Sequence, residues 1–171
     1  MIDFETKEVL FIDLDGTLIK TISGKTFPED ITDFRIQLPV LDKIKETFPN
    51  LSYFFIVTNQ GGIGKFISEA DFKTKIGAIS NLCFYYLNER KLLMYYDYIY
   101  CASNDKSNPN RKPNTGMLEK LYYNRNLHYN KQKMIMIGDA SGKLGDFSDS
   151  DKKCAENFGI DYIDVRDFLE L

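Results

Sequence analysis

The sequence predicts an α/β fold, a doubly wound and mainly parallel five-stranded sheet with helices on both faces. Two observations carry this. Short runs that are apolar at every position recur along the chain, as strands covered by helices on both faces require. Between them lie longer stretches whose apolar residues repeat at helical spacing, and such strand–helix alternation builds parallel, Rossmann-like sheets. The 171 residues suit a single domain over 1–171.

The first strand is Val9-Leu10-Phe11-Ile12, which ends in acidic residues. A helix is expected to begin near Leu38. Tyr53-Phe54-Phe55-Ile56-Val57 is the second strand and runs into Thr58-Asn59. Ile76, Ile79, Cys83, Tyr86 and Leu87 then share one helical face, and Ser68-x-x-Asp71 reads as the capping box that opens that helix. Tyr98-Ile99-Tyr100 is the third strand. Leu118, Leu121 and Tyr122 mark a helix after Gly116. Met134-Ile135-Met136-Ile137 is the fourth strand, ending in Gly138-Asp139. Ala155 and Phe158 mark a last helix that Gly159 stops, and Tyr162-Ile163 is the fifth strand.

Hydrophobic residues are 43% and charged residues 27% of the chain, the balance of a soluble globular protein. No apolar run approaches the ~20 residues that span a bilayer. The opening Met1-Ile2-Asp3-Phe4-Glu5 lacks a signal-peptide pattern. An intracellular protein, cytoplasmic or nuclear and without a membrane partner, is expected. Cys83, Cys101 and Cys154 are far apart and His128 is the single histidine, so a zinc site is not expected and free thiols are. The net charge of −3 excludes polyanion binding by the chain as a whole and leaves it to a local patch.

In such sheets ligands bind beyond the carboxyl ends of the strands. Asp13-Leu14-Asp15-Gly16-Thr17 follows the first strand, Thr58-Asn59-Gln60-Gly61-Gly62 the second, Arg111-Lys112-Pro113 the third at a distance, and Gly138-Asp139 the fourth. Any one of these alone reads more plainly as a cap or a solvated loop. Asp13 and Asp15 differ, because strand alternation sets both on one side, where a cation would relieve their repulsion. Asp139 on a neighbouring strand would add a third oxygen, giving a magnesium-like ligand set.

These four stretches, in this order, resemble the motifs of the haloacid dehalogenase-like (HAD-like) phosphatases. Thr21-x-Ser23-Gly24-Lys25-x-Phe27-Pro28, Val57-Thr58-Asn59-Gln60-Gly61-Gly62-Ile63, Arg111-Lys112-Pro113-x-Thr115-Gly116-Met117, Gly138-Asp139-Ala140-Ser141-Gly142-Lys143 and Asp146-Phe147-Ser148-x-Ser150-Asp151 narrow the match. Together they resemble the 3′-phosphatase domain of polynucleotide kinase/phosphatase, which removes 3′-phosphate from DNA ends in end repair. The resemblance implies Asp13 as nucleophile, Asp15 as general acid and then base, and Thr58 and Lys112 on the phosphate oxygens. It implies Mg2+ held by Asp13, Asp15 through its backbone carbonyl, Asp139 and Asp151. Asp151 also fits a helix capping box with Ser148, and the two readings are compatible. Asp146 and Asp149 read as solvated loop acids, and His128 as a surface residue.

The stretches between Asp15 and Leu38 and between Thr58 and Lys112 are too short for a large cap domain, so an open site is expected. Lys20, Lys25, Lys65, Lys106, Arg111, Lys112 and Lys143 fall in loops on that rim, a local excess suited to a phosphate backbone. Thr17, Ser23, Gly24, Lys25, Asn59, Arg111 and Lys143 are the expected substrate contacts. The expected partner is nucleic acid with a 3′-phosphate end, met by a monomer, with kinase or ligase steps left to separate proteins. Gly24-Lys25-Thr26 is no P-loop, since Ile19 stands where glycine is needed. The rivals are a small-molecule phosphatase of the histidinol-phosphate or heptose-bisphosphate type and a non-catalytic end-binding module. Those small-molecule relatives commonly carry a zinc-binding Cys/His loop, whereas Cys101-Ala102-Ser103-Asn104-Asp105-Lys106 holds one cysteine and no histidine.

Overall fold

The structure, a computed structural model, describes residues 2–25, 28, 30–90, 95–124, 127 and 130–171. Thr26, Phe27 and His128 lie outside the described residues. The strands of the main sheet are β1 (Val9–Ile12), β4 (Tyr53–Asn59), β5 (Tyr95–Cys101), β6 (Met134–Gly138) and β7 (Asp161–Asp164). They lie in the order β5-β4-β1-β6-β7 and every pairing is parallel. All five expected strands are present. β4 and β6 run on to Asn59 and Gly138, so Thr58 is part of its strand rather than of the loop beyond.

Alternation along the strands divides the core. Leu10, Ile12, Phe54, Ile56, Ile135 and Ile137 face α1 (Leu38–Thr47), α2 (Glu69–Leu87) and α5 (Val165–Leu169). Val9, Phe11, Phe55, Val57, Met134 and Met136 face α3 (Gly116–Asn124) and α4 (Ser150–Phe158). Both faces of every central strand are buried, which is why these runs lack polar residues.

Ser68 opens α2 as expected, its hydroxyl accepting from the Asp71 N–H. Gly159 closes α4 with a φ of +81°, a left-handed geometry that suits glycine. Three pieces were not expected from the sequence. β2 (Ile19–Lys20) and β3 (Arg35–Ile36) form a small antiparallel ribbon between β1 and α1, and α5 follows β7. Each spans five residues or fewer, too few to show a period. Among the described residues this ribbon is the only regular structure between β1 and α1, and no helix is long and apolar enough to cross a membrane.

The chain passes from β1 to β4 and β5 on one side, then returns to β6 and β7 on the other. The strand order therefore reverses at β1, and a crevice opens there between β4 and β6. Ile12 is level with Ile56 and Ile137, so Asp13 emerges from the floor of that crevice.

Candidate active site

Asp13 is anchored by its own N–H, which donates to the Ile137 carbonyl at 2.9 Å. Lys112 reaches it from the segment between β5 and α3. The Lys112 ammonium donates to Asp13 Oδ1 at 2.6 Å and to the Val57 carbonyl at 2.8 Å, and lies 2.7 Å from Asp151 Oδ1. Three acceptors use all three of its hydrogens. Asp13, Lys112 and Asp151 are 7%, 3% and 1% exposed, so these charges meet in an interior with little water to screen them.

Asp151 is thereby displaced from its alternative reading. It does not cap α4 with Ser148. Its Oδ2 accepts from the Ala140 N–H at 3.2 Å, and the Ser148 hydroxyl accepts instead from the Ser150 N–H at 3.4 Å. Asp13, Asp139 and Asp151 bring carboxylate oxygens within 4.8 Å of one another. Backbone is pressed against this cluster. A Cβ on Gly16 would fall 2.0 Å from Asp139 Oδ2, and one on Gly138 would fall 2.3 Å from Asp151 Oδ2.

Burial pushes Asp13 well above the usual carboxylate range, and the charges of Asp151 and Asp139 add to this; Lys112 opposes the shift without cancelling it. Burial likewise raises Asp139 from 3.8 to about 6, reinforced by Asp151. Three carboxylates face one ammonium, an excess of two negative charges. An all-oxygen donor set with that excess fits a hard divalent cation such as magnesium. Asp13, Asp139 and Asp151 are the residues that would hold it. The Asp15 carboxylate stands outside this group, bonded to Gln60.

The folded-state value of Asp139 is above its ordinary value, so between about pH 4 and 6 the folded state binds more protons than the unfolded one. In the metal-free protein that contribution is present at low pH and is lost as pH rises through this window. Thermal melting in a chelator should therefore drop between about pH 4 and 6, and Asp139→Asn should flatten the drop. Magnesium should restore the melting temperature at pH 7, increasingly with concentration. A metal-free melting temperature that rises from about pH 4 to 6, with no flattening in Asp139→Asn, contradicts this reading.

Thr58, 1% exposed, and Asp15, at the surface, share a neighbour that was not among the expected site residues. Gln60 Nε2 donates to Asp15 Oδ2 at 2.5 Å and to Thr58 Oγ1 at 2.9 Å. Gln60 follows Thr58 by two residues, and that spacing on an extended strand is the signal that could have found it.

The expected substrate contacts separate into two groups. Thr17 is fully buried and its hydroxyl has no partner among the described residues, so it faces the interior rather than a substrate. Asn59 uses both ends of its amide on the Lys112 backbone, each at 3.0 Å, and so places Lys112. The Ser23 hydroxyl donates to Asp33 at 2.7 Å inside its own loop. Arg111 holds the Ser103 carbonyl at 2.7 Å. Lys143 binds Asp167 at 2.5 Å and lies 3.9 Å from Asp164, so its charge is largely matched. Lys112 is interior and leaves the rim patch. Gly24 and Lys25 are exposed, as are Lys20, Lys65 and Lys106.

Asp146 is not a solvated acid. One of its oxygens accepts from the Ser141 and Lys143 N–H groups and the Ser141 hydroxyl, and the other lies 2.8 Å from Arg166. Asp149 does stand at the surface, paired with Lys153.

Residues 8–168 match the family described as polynucleotide kinase 3 phosphatase. Over 167 residues the chain is 34% identical to the bifunctional polynucleotide phosphatase/kinase of Schizosaccharomyces pombe, covering 96% of this chain and 38% of that protein. It is 32% identical over 171 residues to the histidine biosynthesis bifunctional protein HisB of Legionella pneumophila, covering 93% of this chain and 41% of that protein. The chain thus spans about two-fifths of the length of these two relatives. Among solved structures, D,D-heptose 1.7-bisphosphate phosphatase from B. bronchiseptica, complexed with magnesium and phosphate, superposes with a TM-score of 0.58. Identity is 14%, and the match covers 95% of this chain and 96% of that one, a likeness of fold.

Proposed function

The chain belongs to the polynucleotide kinase 3 phosphatase family of HAD-like phosphatases, and from that premise we propose that it is a magnesium-dependent polynucleotide 3′-phosphatase. The observation that carries the mechanism is the fixed Asp13 carboxylate, tied through Oδ1 to Lys112 and so left with Oδ2 for attack. Asp13 Oδ2 attacks phosphorus, the bond from phosphorus to the 3′ oxygen breaks, and Asp15 gives its proton to that oxygen. A water then attacks the aspartyl-phosphate, Asp15 takes the water's proton, and orthophosphate leaves with Asp13 restored. Thr58 donates to a non-bridging oxygen; Lys112, expected on those oxygens as well, has its three hydrogens on Asp13, Val57 and Asp151, and instead orients Asp13 and opposes its protonation. When bound, magnesium offsets the repulsion between the Asp13 carboxylate and the phosphate.

A DNA end is favoured as substrate by the small ribbon in place of a cap and by the exposed Lys20, Lys25, Lys65 and Lys106. The relative described as a histidine biosynthesis bifunctional protein favours a small-molecule reading. The segment from Cys101 to Lys112, with one cysteine and no histidine, lacks the zinc ligands common in that group. Binding separates the two. Affinity of the Asp13→Asn protein for a 3′-phosphorylated single strand, followed by fluorescence anisotropy, should fall with salt at a log–log slope of about 0.7 per phosphate contacted. Lys25→Ala should reduce the slope. A salt-independent affinity, or no binding, speaks against the polynucleotide reading.

A further inference from the structure

We propose that Gln60 is a positioning residue of the reaction, which holds Asp15 and Thr58 at a fixed separation and sets which oxygen or hydrogen of each faces the phosphoryl group. The inference rests on the reading of Asp15 as proton donor. Gln60 directly follows β4, and its backbone N–H donates to the Cys101 carbonyl at 2.7 Å, so its start is fixed. Its side-chain nitrogen lies 2.5 Å from Asp15 Oδ2 and 2.9 Å from Thr58 Oγ1. A primary amide nitrogen carries two hydrogens, and each is spent on one of these oxygens. Against the ionised Asp15 carboxylate a reversed amide would set carbonyl oxygen against acceptor oxygen, so while Asp15 is charged the amide nitrogen is held toward it.

Asp15 Oδ2 is an acceptor here, so the proton that Asp15 passes to the leaving oxygen is carried on Oδ1. Oδ1 also takes the proton back from water in the second step. Thr58 Oγ1 accepts from Gln60, so its own hydrogen points away from Gln60. That hydroxyl makes no other hydrogen bond among the described residues and is free to donate to a phosphate oxygen. A single amide thereby sets the proton on the leaving-group side and the donor on the non-bridging side.

Leaving-group dependence tests this, because a residue that merely supports the fold would slow all esters alike. Gln60→Leu should lower kcat on a 3′-phosphorylated oligonucleotide roughly 10- to 100-fold, the loss of a hydrogen bond to a charged group. The loss on nitrophenyl phosphate, whose leaving group needs little protonation, should be clearly smaller. In an Asp15→Asn background the same substitution should cost only about threefold or less on the oligonucleotide, since residues that act as a unit are not additive. Gln60→Glu keeps the length but offers a carboxylate to Asp15, and should show the same split; melting temperatures near that of the parent exclude misfolding. Equal losses on both esters in both Gln60 variants, or full additivity with Asp15→Asn, overturn the proposal. If Asp15→Asn keeps its own leaving-group split in that case, the proton-donor reading stands and only the role of Gln60 falls. If Asp15→Asn shows no split, both fall.

Discussion

Asp13→Asn should lower turnover on the order of a thousandfold or more while the protein stays folded, because an amide cannot replace the attacking carboxylate and nucleophile losses of this kind are large. The fold should survive for a local reason. The Lys112 ammonium keeps Asp151 at 2.7 Å and the Val57 carbonyl at 2.8 Å, so it is not left unpaired in the interior. The substitution also removes one of three clustered carboxylates, one that burial already holds well above its usual range. In a chelator the variant should therefore melt no lower than the parent. Steady-state kinetics with magnesium and thermal melting without it check the two halves. Activity above about a tenth of the parent's would remove Asp13 from its role.

Lys112→Met should damage stability and activity together. Methionine keeps much of the length and loses the charge, leaving Asp13 and Asp151 without their cation. Breaking a buried pair by removing one partner costs about 3–5 kcal/mol, because the remaining charges stay uncompensated. The effect should be largest in chelator at neutral pH and should shrink toward pH 4, where the carboxylates can protonate instead. Magnesium should recover part of the stability. It should not recover turnover, since the orientation of Asp13 depends on this side chain. Chemical denaturation at pH 7 and pH 4, with and without magnesium, measures this. A loss below about 1 kcal/mol in chelator at pH 7 contradicts the account.

Part of the fold and of the site is legible in the sequence, and the reason is geometric. Strands covered on both faces must be apolar throughout, so Val9–Ile12, Phe54–Val57 and Met134–Ile137 stand out, and the residue after a central strand has nowhere to go but the crevice. Asp13 and Asp139 stand out in that way. What escapes depends on contacts between distant segments. Asp151 lies 1% exposed against Lys112, yet its local sequence also spells a helix cap, and only the packing of α4 decides. The position of Lys143 beyond β6 is legible. Its pairing with Asp167 requires α5, a five-residue helix with no visible period. Thr17 and Asn59 look like ligands in a motif, but the turn after β1 buries the first and the Lys112 segment occupies the second. Gln60 is visible as a neighbour of Thr58, and its role follows only once Asp15 is seen beside it.

On the proposed function this crevice acts on the 3′ end of a nucleic acid rather than on a small metabolite. The direct measurement is kcat/KM with magnesium for a 3′-phosphorylated oligonucleotide, compared with a 5′-phosphorylated oligonucleotide of the same sequence, histidinol phosphate and a heptose bisphosphate. The 3′-phosphorylated strand should be preferred over histidinol phosphate and the heptose bisphosphate by tenfold or more, on the order of what a few added phosphate-backbone contacts supply, and over the 5′-phosphorylated strand, which offers the same backbone contacts, as the 3′ preference proposed from the family implies. Histidinol phosphate or the heptose bisphosphate cleaved as efficiently as the 3′ end would contradict it.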